Sequence, residues 1–112
     1  MSFEKVKNTR EYVFKPRVTL NNLIYLREAQ VDGIKKFKFC ELHIDKEKAL
    51  LGMRFTNQQE ADVFKVMQNG KNSYINIRSA MRILGKRLSS KFFIEKIKKE
   101  KGMYVIDLSD AK

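Results

Sequence analysis

Short runs rich in apolar residues, with a period near two along 37–44 and in part along 12–20, are broken by polar turns, which is the spacing of strands. Residues 12–20 mix β-branched and aromatic side chains and predict a strand, with Pro16 at an edge or bulge. Asn21-Asn22 predicts a turn, because Asn tolerates positive φ, and residues 23–26 return. Residues 27–31 predict a short helix ended by Gly33. Along 37–44, Cys40, Leu42 and Ile44 face one way, and Phe39, Glu41 and His43 the other. A charged turn at 45–48 leads into a strand at 50–55. The polar stretch 56–61 lacks apolar spacing and predicts a junction. Then come a strand at 63–67, a loop at 68–73 carrying Asn69-Gly70, a return strand at 74–77, and a short helix at 79–84 closed by Gly85. Residues 92–97 and 103–108 predict a last hairpin, with Gly102 in its charged turn at 98–102.

The pattern occurs twice. Ile24, Leu26, Arg27 and Ala29 correspond to Ile75, Ile77, Arg78 and Ala80, and Gly33 to Gly85 after a one-residue gap. Ile44, Glu47, Lys48, Met53 and Phe55 correspond to Ile97, Glu100, Lys101, Ile106 and Leu108 at a constant offset. A duplication constrains architecture more than any one motif does. The predicted fold is α+β and β-dominated: two tandem ββαββ repeats, at 12–55 and 63–108, packed as one pseudo-two-fold domain. Residues 1–11 form a loose N-terminal segment, 56–62 a linker and 109–112 a tail. Each helix has too few turns to form except against the strands.

The 112 residues fit one compact domain. A chain of this size buries roughly two-thirds of its unfolded surface, so the halves are expected to share one core. No apolar run approaches the ~20 residues that span a bilayer, so no membrane partner is expected. The N-terminus lacks a signal-peptide apolar segment, and one cysteine, Cys40, permits no internal disulfide. Both point to the cytoplasm. Charge changes the picture most. Twenty-four Lys and Arg against thirteen Asp and Glu give a formal net charge of +11, more than solubility requires. Such a surplus points to a polyanion, nucleic acid first. It is uneven: Arg82, Lys86, Arg87, Lys91, Lys96, Lys98, Lys99 and Lys101 lie within twenty residues whose acids are Glu95 and Glu100, and 5–17 is also basic.

The run from Ile75-Asn76-Ile77-Arg78-Ser79-Ala80 through Leu84-Gly85, and the run from Cys40-Glu41-Leu42-His43-Ile44 through Leu51, carry a resemblance. Hairpin, short helix ending in Leu-Gly, then hairpin resembles the swapped-hairpin DNA-binding fold of AbrB, SpoVT and MazE, and two copies in one chain resemble MraZ. The chain departs from that pattern at Asn22-Leu23 and Ser73-Tyr74, where Gly-Arg is usual, and at Ile77, where Pro is usual. It departs again at Lys36-Phe37 and Ser90-Lys91, where Gly-Asp is usual. Whirly-like single-strand binders are the other repeat-built, β-rich comparison. The resemblance implies a bacterial or phage regulator that binds duplex DNA, with possible homo-oligomers because hairpins interleave in that fold. Carried over residue by residue, it implies contacts from Arg17, Lys65, Arg27, Arg78 and Arg82.

Arginine suits that role because its planar fork bridges phosphates or pairs with a guanine edge. The competing role for Arg27 and Arg78 is packing against their own hairpins. Lys86, Arg87 and Lys91 are phosphate contacts or solvated surface, and Lys86 also suits a helix C-terminus. Tyr25, Tyr74, Phe92 and Phe93 are expected in the core, and become stacking platforms if the ligand is single-stranded. His43 has no second His beside it and Cys40 no partner base, so neither a metal site nor a nucleophile is expected. No catalytic constellation or cofactor motif is present, and an enzyme is not expected. Outside nucleic acid, the alternative is a protein-interaction module pairing through a strand edge, antitoxin-like or phage accessory in type.

Overall fold

The computed structural model describes residues 2–7 and 13–112. The predicted first strand begins at Tyr12, outside the described residues, as does much of the predicted loose segment. Among the described residues ten strands form: β1 Arg17–Val18, β2 Leu23–Leu26, β3 Phe39–Asp45, β4 Leu50–Thr56, β5 Val63–Lys65, β6 Met67–Asn69, β7 Asn72–Asn76, β8 Phe92–Phe93, β9 Ile97–Glu100 and β10 Met103–Asp107. One α-helix, α1, spans Arg78–Ile83. The fold is α+β and β-dominated, with two five-stranded antiparallel sheets ordered β6-β7-β2-β1-β8 and β5-β3-β4-β10-β9. No helix among the described residues is long and apolar enough to cross a membrane.

Local chemistry sets the connections. Lys101 and Gly102 join β9 to β10 with φ of 53° and 76°, the doubly left-handed form that matches strand twist in a two-residue hairpin. The predicted 98–102 turn is therefore narrower, and Lys98 to Glu100 continue β9. Asn22, at φ 61°, closes the β1–β2 turn while its amide donates to the Thr19 carbonyl. Helix α1 ends in a Schellman closure: the Lys86 amide donates to the Met81 carbonyl, the Gly85 amide to the Arg82 carbonyl, and Gly85 has φ 70°.

The predicted helix at 27–31 is one turn only, and a 3-10 helix follows at Ile34–Lys36. The amides of Gln30 and Val31 both donate to the Arg27 carbonyl, then the turn stops. The Glu28 carboxylate accepts from the amides of Gly33 and Lys35, at 2.6 and 3.3 Å. That side chain satisfies N–H groups which a continuing helix would need to pair internally.

Two predicted strands divide. Residues 63–67 become β5 and β6, separated by buried Val66, and 92–97 become β8 and the start of β9. Each division carries the chain from an edge of one sheet to an edge of the other. Counting the two bent strands once each, ten strands become eight segments whose pairings run in a closed circuit. Bends that switch sheets are a recognised way of making corners. Inside lies one apolar cluster: Val18, Ile24, Leu26 and Ile75 from one sheet, Cys40, Leu51, Met53 and Ile106 from the other, with Val31, Ile34, Ala80 and Met81 from the connections.

Candidate nucleic-acid interface

In the first sheet, period-two alternation sends Val18, Ile24 and Ile75 inward and their chain neighbours outward. Register then lines up five outward residues across all five strands. Met67 lies opposite Tyr74, Tyr74 opposite Tyr25, Tyr25 opposite Arg17, and Arg17 opposite Phe93. With strands ~4.8 Å apart, this row is roughly 19 Å long. The Tyr25 and Tyr74 rings stack with centroids 5.2 Å apart and an interplanar angle of 28°. Phe93 and Met67, at the two ends, are 50% and 42% exposed.

Cations lie on these rings. The Arg17 guanidinium sits 4.8 Å from the Tyr25 centroid and 5.7 Å from that of Phe14. The Arg27 guanidinium sits 4.3 Å from Phe14, and Lys15 Nζ lies 5.7 Å from Phe93. Arg27 Nε also donates to Asn72 Oδ1 at 2.7 Å. Arginine over an aromatic face is held by charge–quadrupole attraction and by flat stacking. The result is a row of exposed and half-buried rings with positive groups laid on Tyr25, Phe14 and Phe93.

The sequence-derived candidates divide among several places. Arg17 and Arg27 come together around Phe14, and the Arg27 side chain also reaches Asn72 on β7, in the other half of the chain. Arg78 and Arg82 are exposed on α1, four residues apart and so neighbours on the helix surface. The Arg78 amide is capped by Asn76 Oδ1 at 3.0 Å. Lys65 is exposed on the second sheet, opposite Phe39. Arg87 and Lys91 are exposed in the segment after α1. Lys86 instead holds the C-terminal tail: its Nζ donates to the carbonyls of Ser109 and Ala111, at 3.1 and 3.4 Å.

Of the four aromatics expected in the core, Phe92 packs against it, while Tyr25, Tyr74 and Phe93 belong to the outer face. Phe14, Met67 and Asn72 were not singled out from the sequence. Parity on each strand gives only the outward direction of its residues; the row itself comes from the long-range registers of β2 with β7 and of β1 with β8.

Arg27 set aside, no Lys or Arg side chain lies within 4.0 Å of a carboxylate oxygen among the described residues, and His43 Nε2 lies 3.0 Å from Glu41 Oε1. No group of three His, Cys, Asp or Glu that could hold a metal ion occurs among the described residues. Burial pushes the Cys40 thiol up to about 12, against a weaker lowering by a backbone hydrogen bond with Arg54. It therefore stays protonated in the folded protein at neutral pH. The expected result is negligible labelling of Cys40 by iodoacetamide at pH 8 and rapid labelling in denaturant; comparable rates in both would show that this site opens readily. Raised above its unfolded value, this pKa also makes folding less favourable as pH climbs from about 9 towards 12.

No protein-family model, curated protein or solved structure matches the chain.

Proposed function

We propose that this protein binds nucleic acid without catalysing a reaction on it. The observation that carries the reading is a +11 chain whose cations, Arg27 apart, make no ion pair among the described residues. Charge left uncompensated at this density favours a polyanion that brings its own phosphates. The edge strands β5, β6, β8 and β9 have two to four residues each, which leaves little length for partner capture by strand addition.

The duplicated architecture belongs to the same proposal. In the first sheet, the contact between halves centres on Ile24 opposite Ile75, residues at one repeat position. In the second it centres on Gly52 opposite Val105, again one repeat position, flanked by Leu51 with Ile106 and Met53 with Tyr104. Pairing about equivalent residues is what a pseudo-two-fold requires. It supports the likeness to tandem swapped-hairpin DNA-binding proteins and a role as a bacterial or phage regulator. Exposed Arg78 and Arg82 on α1 are available to backbone phosphates of such a ligand.

Titration of labelled nucleic acid, single-stranded and duplex, at two salt concentrations tests the reading. Binding is expected at low salt and is expected to weaken steeply as salt rises, because each neutralised phosphate releases condensed counterions. Absence of binding to either form at low salt rejects it.

A further inference from the structure

We infer that the outer face of the first sheet is a stacking platform for single-stranded nucleic acid; this rests on the nucleic-acid reading above and adds the ligand form and the site. Three observations converge on that face. The first is its composition: Met67, Tyr74, Tyr25, Arg17 and Phe93 follow one another across the five strands in register. Large apolar side chains are normally turned inward, so a row of them on the solvent face is informative.

The second is charge. Arg17 lies within this row and Lys15 beside it, each on an aromatic ring, and neither forms an ion pair among the described residues. Rings with positive groups beside them match a strand whose bases and phosphates alternate along its length. Sequence-tolerant binding follows, because every base has a flat face to stack. An apolar protein partner would complement the rings and leave these charges facing apolar groups, a costly arrangement.

The third is accessibility. In a duplex the base faces are stacked on one another, and a flat sheet cannot reach them without unstacking. A single strand presents them freely. Phe93, half exposed at the end of the row, is the most open ring. The stacked Tyr25–Tyr74 pair is half-buried farther along the row, with Arg17 over Tyr25. Asn72 fixes Arg27 beside that pair.

The chain has no Trp and four Tyr, two of which, Tyr25 and Tyr74, lie on this face, so the difference in tyrosine quenching between the native chain and a Tyr74 variant reports on stacking there. The experiment adds oligothymidylate to the full chain and follows tyrosine emission together with anisotropy of a labelled oligonucleotide. A mixed-sequence duplex serves as competitor. The expected result is quenching on binding, preference for the single strand, and roughly tenfold weaker binding for Phe93→Ala and for Tyr74→Leu. Thermal melts of both variants establish that they are folded. Tyr74→Phe is expected to keep affinity and lose part of the quenching, which a role in folding alone does not produce. Preference for the duplex, with Phe93→Ala and Tyr74→Leu folded and silent, overturns this inference and leaves nucleic-acid binding standing. Failure to bind either form at low salt overturns both.

Discussion

Separated into residues 1–60 and 61–112, the two pieces of the chain are each expected to be unfolded and to regain structure only when mixed. The reason lies in the pairings. β1 sits between β2, from the same piece, and β8, from the other. β4 sits between β3 and β10 in the same crossed way, and β3 also carries β5. Alone, the first piece keeps the β1–β2 and β3–β4 hairpins, and the second keeps β6–β7 and β9–β10 with β5 and β8 unpaired. Isolated two-stranded hairpins are marginal in water. Their apolar faces would also lose their cover, since the core draws on both pieces. Far-UV circular dichroism and amide dispersion of each piece, alone and mixed, check this. A cooperative melt from either piece alone would mean that its hairpins fold independently of the crossed pairing.

How much of this could be read beforehand depends on what each feature requires. The hairpin at β3 and β4 was legible because alternation alone fixes its faces: Cys40 is buried while His43 is exposed on the other side. Helix α1 was legible from its Leu84-Gly85 ending, which the Schellman closure uses. The matching segment at 27–31 was misjudged because its stop is a side-chain effect, Glu28 reaching forward to the amides of Gly33 and Lys35. Nothing in apolar periodicity announces that. The bends at Val66 and between β8 and β9 were hidden for a related reason. A short, mostly apolar run gives no sign that its two ends belong to different sheets. The candidate face was obscured by the usual rule that strand aromatics point inward. Tyr25 and Tyr74 each occupy the position next to a buried Ile, so their outward direction was implicit in alternation, but their meeting depended on the long-range register of β2 with β7.

Replacing Ile24 by alanine is expected to lower the unfolding free energy by about 3 kcal/mol and Tm by about 12 °C, a large share of the stability of a domain this small. β2 is the middle strand of its sheet, and Ile24 is fully buried between Val18 and Ile75, both also fully buried and in register with it. Side chains fixed on paired strands at either side have little freedom to collapse into the space left, so the cavity persists and adds to the lost transfer energy. Ile24→Val, which removes one methylene, is expected to cost about 1 kcal/mol. Phe93→Ala, on the exposed side of the same sheet, is expected to change stability by no more than ~0.5 kcal/mol. Denaturant melts of the three variants measure this ordering. It also bears on binding, since the parity that buries Ile24 is the parity that turns Tyr25 outward. Equal losses for Ile24→Ala and Phe93→Ala would mean that the sheet's two faces are not divided as described. The aromatic row would then have no claim to face a ligand.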